Sequence, residues 1–232
     1  MLTKRRFLHG MTVGAAAFTV PGVFAATLTE TARTGDGPFY PDRMPLDTDN
    51  DLLIINDHIT PAIGEITHLT GRLLGPTGSP VRNAFIEIWQ SDMHGSYIHT
   101  GGRRDGRLDG NFQGYGRCLT DAEGRYYFRT IKPTSYTLGG TFRAAHIHVA
   151  VSKAGRRIMA TQALVRGHED NARDRIIDRI GAEALETLMV EYHPLPGSTI
   201  GELTANFDIV LGRTPEERED GSIGGIGEPP RG

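Results

Sequence analysis

Short runs of branched and aromatic residues, cut by turn-forming clusters, constrain the fold of this chain more than any other feature. In an extended strand successive side chains point to opposite faces, so such runs pack as sheets rather than helices. Glu65–Leu74, Asn83–Trp89, Arg125–Ile131, Arg143–Val151, Arg157–Leu164 and Leu203–Leu211 all read as strands. Gly75-Pro76-Thr77-Gly78 and Asp121-Ala122-Glu123-Gly124 punctuate them as turns. One segment departs from the pattern. Asn171–Glu191 carries Ile176, Ile177, Ile180, Leu185 and Leu188 at helical spacing, which predicts a helix with an apolar packing stripe. The expected architecture is mainly β, a sandwich with long loops and one helical segment. A chain of 232 residues is long enough for one substantial core, and it contains no internal repeat.

The two ends read differently from the middle. Lys4-Arg5-Arg6-Phe7-Leu8 precedes an apolar stretch from Met11 to Phe24, and Val23-Phe24-Ala25 has the small-residue character of a cleavage site. Residues 1–25 are therefore expected to be an export signal, and the paired arginines predict the twin-arginine type, with a periplasmic or otherwise exported destination. Pro21 interrupts the stretch, which is also too short to span a bilayer comfortably, so no stable membrane span is expected after processing. Residues 213–232, rich in Gly, Pro and Glu, read as a disordered tail, leaving 36–212 as the folded domain. A net charge of −3 with scattered Lys and Arg carries no nucleic-acid signature. The single Cys118 excludes an internal disulfide and a thiolate metal site.

Chemistry concentrates in Tyr97, Tyr136, Arg143, His146 and His148. His146 and His148 are two apart on an expected strand, so both rings face the same side, as two imidazoles on one ion require. A His-x-His pair alone is commonly just polar surface on a sheet. Two tyrosines change the reading, because a trivalent cation lowers ligand pKa values enough to bind phenolate at neutral pH. Hard phenolate oxygens with borderline imidazoles suit Fe(III).

These residues stand in a wider pattern: Gly37-Pro38-Phe39-Tyr40-Pro41, Leu69-Thr70-Gly71-Arg72, Ile86-Glu87-Ile88-Trp89-Gln90, Gly95-Ser96-Tyr97, Asp109-Gly110-Asn111-Phe112, Tyr127-Phe128-Arg129-Thr130-Ile131-Lys132-Pro133, Ala145-His146-Ile147-His148 and Phe207-Asp208-Ile209-Val210-Leu211. The pattern resembles the intradiol ring-cleaving dioxygenases, most nearly the protocatechuate 3,4-dioxygenase type. The resemblance implies Fe(3+) held by Tyr97, Tyr136, His146 and His148, with a small aromatic diol and O2 as substrates. It further implies that Tyr136 leaves the iron when substrate binds, that Arg143 stabilises negative charge on the substrate ring, and that Gln162 supports the site from the next strand. Cleavage would fall between the two hydroxyl-bearing carbons and give a cis,cis-muconate-type product. Association into a homo-oligomer is left open.

Departures from the family pattern fall beside the ligands. Leu138 stands where an aromatic residue is common, the stretch from Thr137 to Ala145 is short, and Ala144 replaces a typical proline. An alternative keeps the fold without the chemistry. Leu69-Thr70-Gly71-Arg72 through Gly78-Ser79-Pro80-Val81-Arg82-Asn83-Ala84 resembles the opening hairpin of transthyretin-like extracellular binding modules, which do not require the Tyr and His set.

Overall fold

In the computed structural model, which describes residues 27–55, 60–218 and 223–224, the period-two runs form two five-stranded sheets. β1 (Ile66–Leu74) is the centre of the first. It runs antiparallel to β4 (Arg125–Ile131) and parallel to β11 (Leu203–Asn206) and β12 (Ile209–Val210), while β10 (Tyr192–Pro194) extends the sheet beyond β11. The second sheet has the order β3 (Tyr115–Leu119), β2 (Phe85–Trp89), β7 (His146–Lys153), β8 (Arg156–Val165), β9 (Met189–Val190). Leu69, Leu73 and Phe128 of the first sheet bury themselves against Ile86, Ile88, Ile147 and Val149 of the second, which makes the sandwich core.

Alternation along β7 then decides where chemistry can sit. Ile147, Val149 and Val151 belong to the core, so His146, His148 and Ala150 lie on the opposite face. That face is covered rather than solvated. The residues around Phe39 and Tyr40, the long connection between β2 and β3, and a hairpin of β5 (Tyr136–Leu138) and β6 (Thr141–Arg143) pack over it in a second cluster with Trp89, Tyr97 and Tyr115.

Three expected elements are corrected. The strand Arg143–Val151 is cut at Ala144-Ala145, so Arg143 ends the β5–β6 hairpin, opposite Tyr136, and does not share a strand with the histidines. Both backbone groups of Ala144 are diverted: its N–H donates to Asp174 Oδ2 at 2.9 Å, and its carbonyl accepts from His146 Nδ1 at 2.6 Å. The strand Leu203–Leu211 is interrupted at Phe207-Asp208, where the Asp208 carboxylate accepts the Arg72 N–H at 2.9 Å and Tyr126 donates to the Phe207 carbonyl. Gly71 permits that approach, since a Cβ there would lie 2.1 Å from the Phe207 oxygen.

The helix expected over Asn171–Glu191 is replaced by 3-10 turns at Glu169–Arg173 and Ile177–Arg179 and by the five-residue α1 (Ala182–Glu186). The backbone is extended at Asp174 (ψ 102°) and again at Ile180 (ψ 127°), and Asp174 Oδ1 accepts from the Ile176 N–H at 2.8 Å, a local bond that competes with a continuing helix at the first break. The short strands β3, β5, β6, β9 and β10 went unread, because two to five residues, with Gly116 inside one of them, show no clear period. The expected signal at 1–25 lies outside the described residues. Of the expected tail, Glu216–Glu217 pairs with Ile223–Gly224, and the rest beyond Arg218 lies outside them too. No helix among the described residues is long and apolar enough to cross a membrane.

Candidate metal centre

Tyr97, Tyr136, His146 and His148 come together on the covered face of the second sheet, from three separate parts of the chain. Tyr97 Oη lies 3.1 Å from Tyr136 Oη and 3.4 Å from His146 Nε2, which is in turn 3.1 Å from His148 Nε2. Atoms that share one first-row metal ion at about 2 Å stand roughly 3 Å apart, so these spacings are those of a common ligand set. No group of three or more His, Cys, Asp or Glu side chains among the described residues offers a rival site, and any ion here must use the phenols.

Each donor is fixed by its neighbours. Trp89 is the register partner of His148, and its indole stacks on the imidazole with centroids 4.9 Å apart and planes 5° from parallel. Gly37, at φ +69°, lies against the other side, where a Cβ would come within 2.9 Å of His148 Cε1. Tyr97 hangs from the β2–β3 connection, which is organised by the buried Asp92. Its Oδ1 accepts from the His94 and Ser96 N–H groups at 2.8 and 2.9 Å, and its Oδ2 from the Asp109 N–H at 2.7 Å. Tyr136 opens a hairpin strand rather than standing on an irregular loop, and its Cβ would clash at 2.7 Å with any side chain at Gly95.

The donor set fits a cation. A carbonyl can only accept, so the Ala144 oxygen fixes the His146 proton on Nδ1 and leaves the Nε2 lone pair facing His148. His148 Nδ1 is buried with no partner among the described residues. If its proton sits on Nδ1, two lone pairs confront each other at 3.1 Å, an arrangement that a shared positive ion relieves. Burial, then the Arg143 charge, pulls His146 down to about 3, and burial, His146 and Arg143 hold His148 well below the imidazole range. Burial, reinforced by Tyr136, raises Tyr97 well above the phenol range, and burial raises Tyr136. The metal-free site is thus electrically neutral, and an ion that binds phenolate must displace two protons.

Arg143 stands beside this set. Its Nε donates to Asp174 Oδ2 at 3.0 Å and its Nη2 to Gln162 Oε1 at 2.6 Å. Gln162, opposite His148 on β8, is buried, which excludes the reading of a solvated strand residue. Burial pushes the Asp174 carboxyl up, but the Ala144 N–H and the Arg143 guanidinium outweigh it and hold the group below the usual carboxylate range. A cavity of about 260 Å³ opens against Tyr136, Arg143, Phe39 and Leu138. Sequence reading missed Asp92 and Asp174. Each accepts from backbone N–H groups two to four residues on, a habit of Asp too common in sequences to single them out.

A family model described as Dioxygenase matches residues 35–213. The protocatechuate 3,4-dioxygenase beta chain of Burkholderia cepacia is 38% identical over 175 residues, 67% of this chain and 69% of the relative. The chain belongs to the intradiol ring-cleaving dioxygenase family. Catechol 1,2-dioxygenase 2 of Acinetobacter lwoffii is 31% identical over 151 residues, 59% of this chain, and the chain spans 52% of that relative. Among solved structures, the dioxygenase domain of a dioxygenase carbohydrate-binding protein fusion from Streptomyces sp. SirexAA-E superposes with a TM-score of 0.57 at 24% identity, covering 79% of this chain and 99% of that one. Family membership implies a non-haem iron site and an aromatic substrate with O2. These similarities support a dioxygenase and lend nothing to a transthyretin-like binding module.

Proposed function

We propose that the protein is an exported Fe(III) dioxygenase that opens a catechol-type ring between its two hydroxyl-bearing carbons, giving a cis,cis-muconate-type diacid. The convergence of Tyr97, Tyr136, His146 and His148 within 3.1–3.4 Å, with Arg143 at the adjoining cavity, carries this reading. Ferric iron held by these four side chains would supply the Lewis acidity that lets both substrate hydroxyls bind as oxyanions and makes the ring reactive towards O2.

The protein's own groups do the rest. Tyr136 borders the cavity, so its Oη is the phenolic oxygen suited to take up one of the two substrate protons as the diol enters, the other leaving to solvent through the cavity mouth, while Tyr97, enclosed by Phe39 and Tyr136, keeps its place. Arg143 presents a permanent charge to the anion that develops on the ring, an interaction worth on the order of 3 kcal/mol in a water-poor site. Gln162 and Asp174 fix the guanidinium so that little reorganisation accompanies the reaction. Stacked Trp89 holds His148 and excludes water from its flank.

The test is direct. The purified protein should hold one iron per chain, show a visible tyrosinate-to-iron band, and convert at least one member of a catechol panel under labelled O2 into a diacid that carries label. A loaded iron site with no cleavage, or cleavage outside the diol, would defeat the proposal.

A further inference from the structure

The cavity beside Tyr136 and Arg143 measures about 260 Å³. A protein cavity of roughly 150 Å³ accommodates benzene, so one ring with two hydroxyls and a small substituent fits. Its mouth is formed by Pro38, Thr141 and Ile176, all exposed, and Ile176 keeps 38% of its surface accessible although it is a large apolar residue. Half-buried Phe39 and Leu138 line the way down to Tyr136 and Arg143.

Charge is scarce along this path. Arg143 is the one cation that lines the cavity among the described residues, and it is already committed to the buried Asp174 at 3.0 Å and to Gln162 at 2.6 Å. Arg143 lies opposite Tyr136 at the inner end, where the ring's own developing charge falls, and the outer end at Leu138, Thr141 and Ile176 carries no cation among the described residues. On the neighbouring segment, Arg173 lies 4.4 Å from the Phe142 ring and pairs with Asp170 at 2.7 Å, while Arg175 is exposed and outside the lining. A ring carboxylate held at this outer end would shed part of its water against Leu138 and Ile176 with no cation beside it, and an unpaired charge moved out of water is disfavoured. Methyl or hydroxyl substituents meet no such penalty against Leu138, Ile176 and the Thr141 hydroxyl.

Resting on the ring-cleavage reading of this site, we infer that it selects uncharged catechols, unsubstituted or carrying a small alkyl or hydroxyl group, against catechols that carry a ring carboxylate. Such selectivity would set this chain apart from its 38%-identical relative, the protocatechuate 3,4-dioxygenase beta chain, since protocatechuate is a carboxylate-bearing catechol.

The experiment uses the iron-loaded full chain with catechol, 4-methylcatechol, hydroxyquinol and protocatechuate. Anaerobic calorimetry gives Kd, and kcat/KM is measured separately in air. Neutral catechols should be favoured over protocatechuate at least a hundredfold in both. Ile176→Lys adds an ammonium at an exposed position of the mouth and should improve protocatechuate binding tenfold or more while weakening 4-methylcatechol. Wild-type protein that binds or cleaves protocatechuate as well as 4-methylcatechol would overturn the selectivity alone. Selective binding without cleavage would uphold it and overturn the ring-cleavage reading, whereas a panel that neither binds nor reacts would overturn both.

Discussion

Arg143 is anchored at two of its nitrogens before any substrate arrives, by Asp174 and Gln162. A guanidinium so fixed acts on charge that develops during reaction more than on the resting substrate. Arg143→Ala should therefore leave iron content and colour in place and lower kcat/KM by on the order of a hundredfold. Steady-state rates beside the visible spectrum check this; an unchanged rate would make Arg143 a purely structural ion-pair partner. The tyrosines and histidines were legible in the sequence because a metal needs particular atoms, and chemistry of that kind is written in residue type. Asp174 was not, because its role depends on a contact 31 residues away from Arg143.

The element that decides the site is the break at Ala144-Ala145. A continuous strand from Arg143 to Val151 would force alternation on Arg143, His146 and His148 together; cutting it lets the hairpin fold back and aim Arg143 and Tyr136 at the cavity independently of β7. Asp174 maintains the break by accepting from the Ala144 N–H and the Arg143 Nε, and it ties the segment after β8 to the same point through the Ile176 N–H. Asp174→Ala removes all three contacts and leaves a buried guanidinium without its counter-ion, which typically costs about 3–5 kcal/mol. Urea unfolding at neutral pH measures the loss. A change below about 1 kcal/mol, the scale of an ordinary surface substitution or less, would show that the hairpin is held by other contacts.

At the scale of the whole molecule, burying neutral imidazoles makes stability depend on pH. The unfolded chain takes up protons on histidine below about pH 6.5, whereas the iron-free folded protein resists until about 3 at His146, and burial with the neighbouring His146 and Arg143 holds His148 well below the usual imidazole range. Unfolded protein binds more protons across that window, so stability falls as pH drops from about 6.5 towards 3, by about 1.4 kcal/mol per unit for His146, and His148 adds a loss of the same sign. Denaturant titrations of the iron-free protein at pH 7 and pH 5 should show the decline, and equal stabilities would mean that the rings are solvated. For the full chain, replacing both Arg5 and Arg6 with Lys should leave active enzyme in the cytoplasm if the twin-arginine reading is right. Fractionation of cells tests this, and unimpeded export would indicate the general secretory route. A mainly β fold and the choice of Tyr97, Tyr136, His146 and His148 as candidate metal donors were readable from the sequence alone, since period-two alternation and ligand chemistry are local properties. Tertiary packing put His146 and His148 on the face of β7 away from the sandwich core and folded Tyr97 and Tyr136 over that face. It also set Asp174 against Arg143 and an uncharged mouth above Tyr136, because each of these depends on contacts between segments whose separation along the chain leaves no periodic trace.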